Sequence, residues 1–87
     1  MGAGDGALNE PIPEEQFKAF IRVTVNEFYN KWRHRIRTAK MQRDEWDVLI
    51  LEADPIVKQG RQYPVVSDIV IALVQELSRE AISLENN

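Results

Sequence analysis

Hydrophobic residues recur every three or four positions between residues 13 and 40, which is the spacing of one face of an α-helix. This apolar stripe consists of Phe17, Phe20, Ile21, Val25, Phe28, Trp32 and Ile36. Pro13 suits the first position of a helix. Acidic residues follow it and basic residues occupy the far end, as the helix dipole favours. The pattern predicts one long helix over about 13–40.

The apolar stripe is long compared with the elements that follow it. At the rise of an α-helix it extends over roughly 28 Å, and a shorter second element cannot cover both of its flanks. Part of the stripe is therefore expected to bind a partner, with Phe20, Tyr29 and Trp32 as rigid aromatic anchors. The simplest partner is a second copy in a two-fold dimer. Trp32 itself is expected to be buried.

A second helix is predicted over about 44–53, with Asp44 as its N-cap. Asp54-Pro55 is expected to interrupt this element, because proline disfavours the helical conformation in the residue before it. A short turn at 55–59 would then end at Gly60 in the left-handed conformation. The second element is thus predicted to be split by a proline.

The last helix is predicted over about 64–84, where hydrophobic residues again keep helical spacing. They are Val66, Ile69, Val70, Leu73, Leu77, Ala81 and Leu84. Pro64 is a candidate for the first helical residue, and a later start with Ser67 as N-cap is the alternative.

Together these elements predict an all-α fold, a small three-helix bundle with a long N-terminal helix and a Pro-interrupted second element. The alternative is an α+β fold, because 46–51 also reads as a short buried strand that could form a hairpin with 61–66. The Gly- and Pro-rich segment 1–12 is predicted to be a flexible tail, and 13–85 a single helical domain.

Composition narrows the function classes. The chain has 87 residues and a net charge of −3, with 44% hydrophobic and 29% charged residues, as in ordinary globular domains. The absence of cysteine excludes disulfides, thiolate metal sites and thiol nucleophiles. The longest apolar run, 69–74, is far too short to span a bilayer, and the start of the chain does not resemble a signal peptide. We expect a cytoplasmic protein without a membrane partner.

Charge is sorted along the chain. Residues 31–43 contain six basic residues and no acid, and 44–54 contain five acids and no base. Arg33, Arg37 and Lys40 share one helix face and could follow the phosphates of a nucleic acid. Antiparallel helices would also bring the two blocks together, and we favour this internal neutralisation.

Few residues could carry chemistry. His34 has no carboxylate at its helical neighbours to orient it, and no metal-ligand spacing occurs. Ser67 lacks the context of a nucleophile and is better explained as a cap, while Thr24 and Thr38 are expected to bond back to the helix backbone. We expect no enzyme, no cofactor, no metal and no small-molecule substrate.

The sequence therefore favours a small helical protein–protein interaction module, an adaptor, assembly or regulatory factor, that self-associates through the apolar stripe. The alternative function is a nucleic-acid-binding accessory protein that uses the basic stretch 31–43.

Overall fold

A computed structural model of the chain describes residues 10–85 as three helices joined by two short connections, and these residues contain no strand. The predicted all-α fold is confirmed. The hairpin alternative is wrong, because 46–51 lies inside the second helix and 61–66 forms a turn and the start of the third. Of the predicted tail 1–12, residues 1–9 lie outside the described residues, as do 86–87. The backbone N–H of Glu10 donates to the Gln62 carbonyl at 3.0 Å.

The first helix runs without a break but changes its hydrogen bonding midway. Its three parts are α1 (Glu14–Ile21), a π-helical segment (Arg22–Tyr29) and α2 (Asn30–Thr38). At the end of the π-helical segment, the Asn30 N–H donates to the Val25 carbonyl, five residues back. Rare π-helical turns mark functional positions more often than ordinary helix does.

The spacing of the buried side chains explains the π-helical segment. Thr24, Phe28, Trp32 and Ile36 are all buried and stand four residues apart. In an α-helix of 3.6 residues per turn, each such step rotates the side chain off the face by about 40°. A segment with more residues per turn keeps the first of these residues on the face that meets the other helices.

The second helix, α3, extends from Arg43 to Gln59. It begins with a capping box between Gln42 and Glu45, so the predicted cap at Asp44 is displaced by two residues. The helix also continues through Pro55 rather than breaking there. Proline leaves one backbone carbonyl without its helical donor. Ile56 and Val57 beyond it nevertheless pack against the core, which holds the last turn in place.

The turn between α3 and the third helix, α4 (Pro64–Glu85), differs from the prediction in one respect. Gly60 has a φ of −113° and is not left-handed. Glycine is needed here because the position is buried against Val66, which leaves no room for a Cβ atom. Pro64 is the first helical residue, as one of the two predicted starts proposed. The Ser67 hydroxyl donates to the Pro64 carbonyl at 3.2 Å.

The core lies where the three helices meet. The π-helical segment contacts both α3 and α4, and α2 packs along α4. The core cluster consists of Phe28, Trp32, Ile36, Met41, Leu49, Ala53, Val70 and Leu77. The segment α1 contains no buried residue. The middle and end of the apolar stripe are thus covered within one chain.

Candidate functional site

The basic stretch is paired with acids from both other helices. Lys31 Nζ lies 2.5 Å from Glu52 Oε1, and Arg35 Nη2 lies 2.6 Å from Glu45 Oε1. These two pairs join the basic block to the acidic block 44–54, as the sequence predicted. The predicted nucleic-acid contacts Arg33, Arg37 and Lys40 instead pair with acids of α4, which the sequence did not indicate.

Glu80 is the centre of the pairing on α4. Its carboxylate is mostly buried and accepts a hydrogen bond from Arg37 Nε at 2.6 Å. Arg33 Nε lies 3.3 Å away as an ion pair without a hydrogen bond, and this buried nitrogen has no hydrogen-bond partner within residues 10–85. Lys40 Nζ lies 3.1 Å from Glu85 Oε1. A nucleic acid would have to compete with these carboxylates for each cation. The geometry therefore favours internal neutralisation over a phosphate-binding face.

The carboxylates of Glu45 and Glu52 each accept hydrogen bonds from more than one donor group. The backbone N–H of Gln42 and the guanidinium of Arg35 lower the pKa of Glu45 below its ordinary value. Lys31 lowers the pKa of Glu52, and the indole N–H of Trp32, which donates to the same oxygen at 3.0 Å, lowers it further. The ammonium of Lys31 also lies 5.1 Å from the centre of the Trp32 ring.

The three aromatic residues that the sequence proposed as partner anchors have different surroundings. Trp32 is 7% exposed, which confirms its predicted burial and commits its ring to the core. Phe20 and Tyr29 are half-buried and pack against the core from its edge. Only these two retain an accessible face.

An apolar groove of about 320 Å³ lies between α3 and α4, on a surface that the sequence did not single out. Its walls carry Ile50, 52% exposed, and Ile71, 53% exposed. Its other aliphatic residues are Ala53, Val57, Val70 and Val74. The one available signal was the apolar run 69–74, which is too continuous for a helix with a single buried face.

Asp54, the charged residue of this groove, has its carboxylate 2.8 Å from Lys58 Nζ, one turn further along α3. The hydrogen bond from Lys58 to Asp54 and their attraction raise the pKa of Lys58. Because acid and base neutralise each other, the groove presents aliphatic surface without a strong charge of either sign.

A second cleft, of about 250 Å³, lies between the start of the first helix and the turn after α3. Its apolar lining comes from Ile12, Ala19, Phe20, Val23, Ile56 and Val66. Gln16, Thr24, Gln59 and Tyr63 supply its polar groups. None of the described residues that line it is charged.

Thr24 is the unusual residue of the cleft. It belongs to the π-helical segment and is 0% exposed, yet its hydroxyl has no hydrogen-bond partner among residues 10–85. The sequence predicted a bond to the helix backbone for both mid-helix threonines. Thr38 makes one, donating to the His34 carbonyl at 2.9 Å, and Thr24 does not. Leaving a buried hydroxyl unpaired costs about 1–3 kcal/mol.

Residues 10–85 hold no group of three or more histidine or acidic side chains placed to bind a metal ion. Within the same range, no helix combines the length and the apolar character needed to cross a membrane. Comparison with known proteins adds no further identification, since no family profile, no curated protein and no solved structure matches the chain.

Proposed function

We propose that the protein is a small helical interaction module that self-associates through the groove between α3 and α4. The observation that carries this proposal is the pair of half-exposed isoleucines, Ile50 and Ile71, on the two walls of one apolar groove. Contiguous aliphatic surface of this kind on a small protein is typical of a partner-binding site. This contact lies away from the middle and end of the apolar stripe, which the fold buries.

A second copy suits this groove because α4 supplies both one wall of the groove and further exposed apolar side chains that could pack into the groove of another copy. Ile71 and Ile82 of α4 are exposed and stand eleven residues apart, which is about three helical turns, so both lie on one face. A two-fold axis between the groove and Ile82 would place Ile82 of each copy against the groove of the other. The Asp54–Lys58 pair leaves no net charge that would repel an identical surface.

The oligomeric state in solution tests the proposal. Light scattering coupled to size exclusion, at tens of micromolar protein, should give about twice the mass of the 10.1 kDa chain. Ile71→Glu should convert the dimer to a monomer, because it places a charge at the centre of the desolvated contact. Circular dichroism should show unchanged helix content, since Ile71 is half-exposed in the single chain.

Leu51→Glu is the matched control. Leu51 is 70% exposed and lies on α3 next to Ile50, but it borders a different depression, formed with the first helix. Because Leu51 lies outside the groove between α3 and α4, we expect this variant to remain dimeric. A wild-type monomer at these concentrations, or a Leu51→Glu variant that dissociates as readily as Ile71→Glu, would contradict the proposal.

We expect the module to act in the cytoplasm, and the absence of cysteine from the sequence agrees with a reducing compartment. The alternative of a nucleic-acid partner has less support, because each of the proposed contact residues, Arg33, Arg37 and Lys40, is already paired with a carboxylate of α4.

A further inference from the structure

We propose that the cleft beside the π-helical segment binds a small, uncharged and largely apolar molecule that carries one hydrogen-bonding oxygen, with the Thr24 hydroxyl as its polar partner. The sequence offered no basis for such a ligand. This site is separate from the groove between α3 and α4 and does not depend on self-association.

The lining defines the chemical class of the ligand. None of the described residues that line the cleft is charged, so a charged ligand would be desolvated there without an opposite charge to compensate it. Most of the lining is aliphatic or aromatic, with Phe20 and Ile56 as large members from opposite sides. An apolar cavity of about 150 Å³ already admits benzene. The cleft of about 250 Å³ therefore suits one ring with a short substituent.

The Thr24 hydroxyl defines the polar contact. Buried hydroxyls in native proteins are nearly always bonded, so an unpaired one calls for an explanation. A valine would fill the same volume without the cost of the unpaired group. A threonine that serves only packing is therefore poorly explained, whereas one that meets a ligand oxygen is well explained.

Access requires a small local movement. Thr24 is closed to water, so the ligand must displace side chains that share the cleft. Phe20 is half-buried and Val23 is 43% exposed, and both therefore have room to change rotamer. Val23 and Thr24 both belong to the π-helical segment, a conformation that occurs frequently at functional sites.

The test compares two probes of nearly equal shape, benzyl alcohol and ethylbenzene, in amide chemical-shift titrations of the full chain. Both should bind saturably and shift the amides of 19–24 and 56–66. Thr24→Val should weaken the binding of benzyl alcohol by roughly three- to tenfold, which corresponds to the loss of one hydrogen bond. The affinity for ethylbenzene should not change. If the variant lost affinity for both probes to the same extent, or for neither probe, the proposed role of the hydroxyl would be wrong.

A second pair of variants locates the site. Ala19→Phe adds a ring to the wall of the cleft at an exposed position and should abolish the binding of both probes. Ala72→Phe adds the same ring to an exposed position of α4 outside the cleft and should leave binding unchanged. No saturable shift with either probe at millimolar concentration, or shifts confined to other parts of the chain, would overturn the site.

Discussion

A Cβ atom placed on Gly60 would lie 2.7 Å from Cγ2 of Val66, so the turn after α3 and the first turns of α4 are in direct contact. Val66 is itself fully buried and cannot move aside without disturbing the core. The two residues also line the cleft, so their contact helps to set its shape.

Gly60→Ala should therefore destabilise the protein by roughly 1–3 kcal/mol, the usual cost of overpacking. The φ of −113° is allowed for alanine, so backbone conformation alone would make the same substitution mildly stabilising. Urea denaturation measures the difference. In the Val66→Ala background, which removes the two clashing methyl groups, the cost should fall, and additive effects in this double-mutant cycle would contradict the steric explanation.

Thr24→Val should stabilise the protein by about 1 kcal/mol or more, because it removes a buried hydroxyl that has no partner within residues 10–85 and keeps the side-chain volume. Thr38→Val is the control, since it removes a hydroxyl that donates to the His34 carbonyl and should be neutral or slightly destabilising. Thermal denaturation of both variants checks the contrast. Equal effects would show that the Thr24 hydroxyl has a partner in solution.

Low pH should lower the folding stability of the protein, in part because Glu52 becomes protonated. Its pKa is lowered in the folded state, chiefly by the hydrogen bond from Lys31, so ionised Glu52 favours folding above the ordinary value of 4.5. This contribution is lost as pH falls from that value through the lower folded pKa. Urea denaturation between pH 7 and pH 3 should therefore show that the free energy of unfolding falls less steeply for Glu52→Gln than for wild type.

Glu27→Gln is the control for this titration, because Glu27 takes part in no ion pair within residues 10–85. It should keep the acid response of wild type. Lys31→Met should raise the pKa of Glu52 in a carboxyl NMR titration, since it removes the first of the two donors. An unchanged Glu52 titration in this variant would contradict the assigned cause.

Arg37→Glu should destabilise the fold more than Arg37→Gln, which should stay within about 1 kcal/mol. The reason is Glu80, whose mostly buried carboxylate would face a second carboxylate in the charge-reversed variant. In a Glu80→Gln background, which places no second cation beside Arg33, the difference between Arg37→Glu and Arg37→Gln should shrink. The melting temperatures of the four variants test this, and an undiminished difference would be the contrary result.

The same relationship limits how nucleic-acid binding can be tested by mutation. Reversing the charge of both Arg33 and Arg37 would remove two candidate phosphate contacts, but it would not affect nucleic-acid binding alone. With both guanidinium groups on Glu80, that double variant would disturb the helix packing as well. Neutral substitutions to glutamine separate the two effects, provided that salt dependence is measured alongside.

By itself the sequence determined the three helices and the burial of Trp32, because hydrophobic periodicity and capping signals act between residues close in the chain. Only the tertiary structure decided which faces of the three helices are buried and which remain exposed. The continuation of α3 through Pro55 depends on packing on both sides of the proline, and the need for Gly60 depends on Val66. The Thr24 hydroxyl without a partner in the described part of the chain and the exposed Ile50 and Ile71 follow from which faces the three helices turn towards one another. That choice is made by contacts between residues far apart in the chain, which local patterns do not encode.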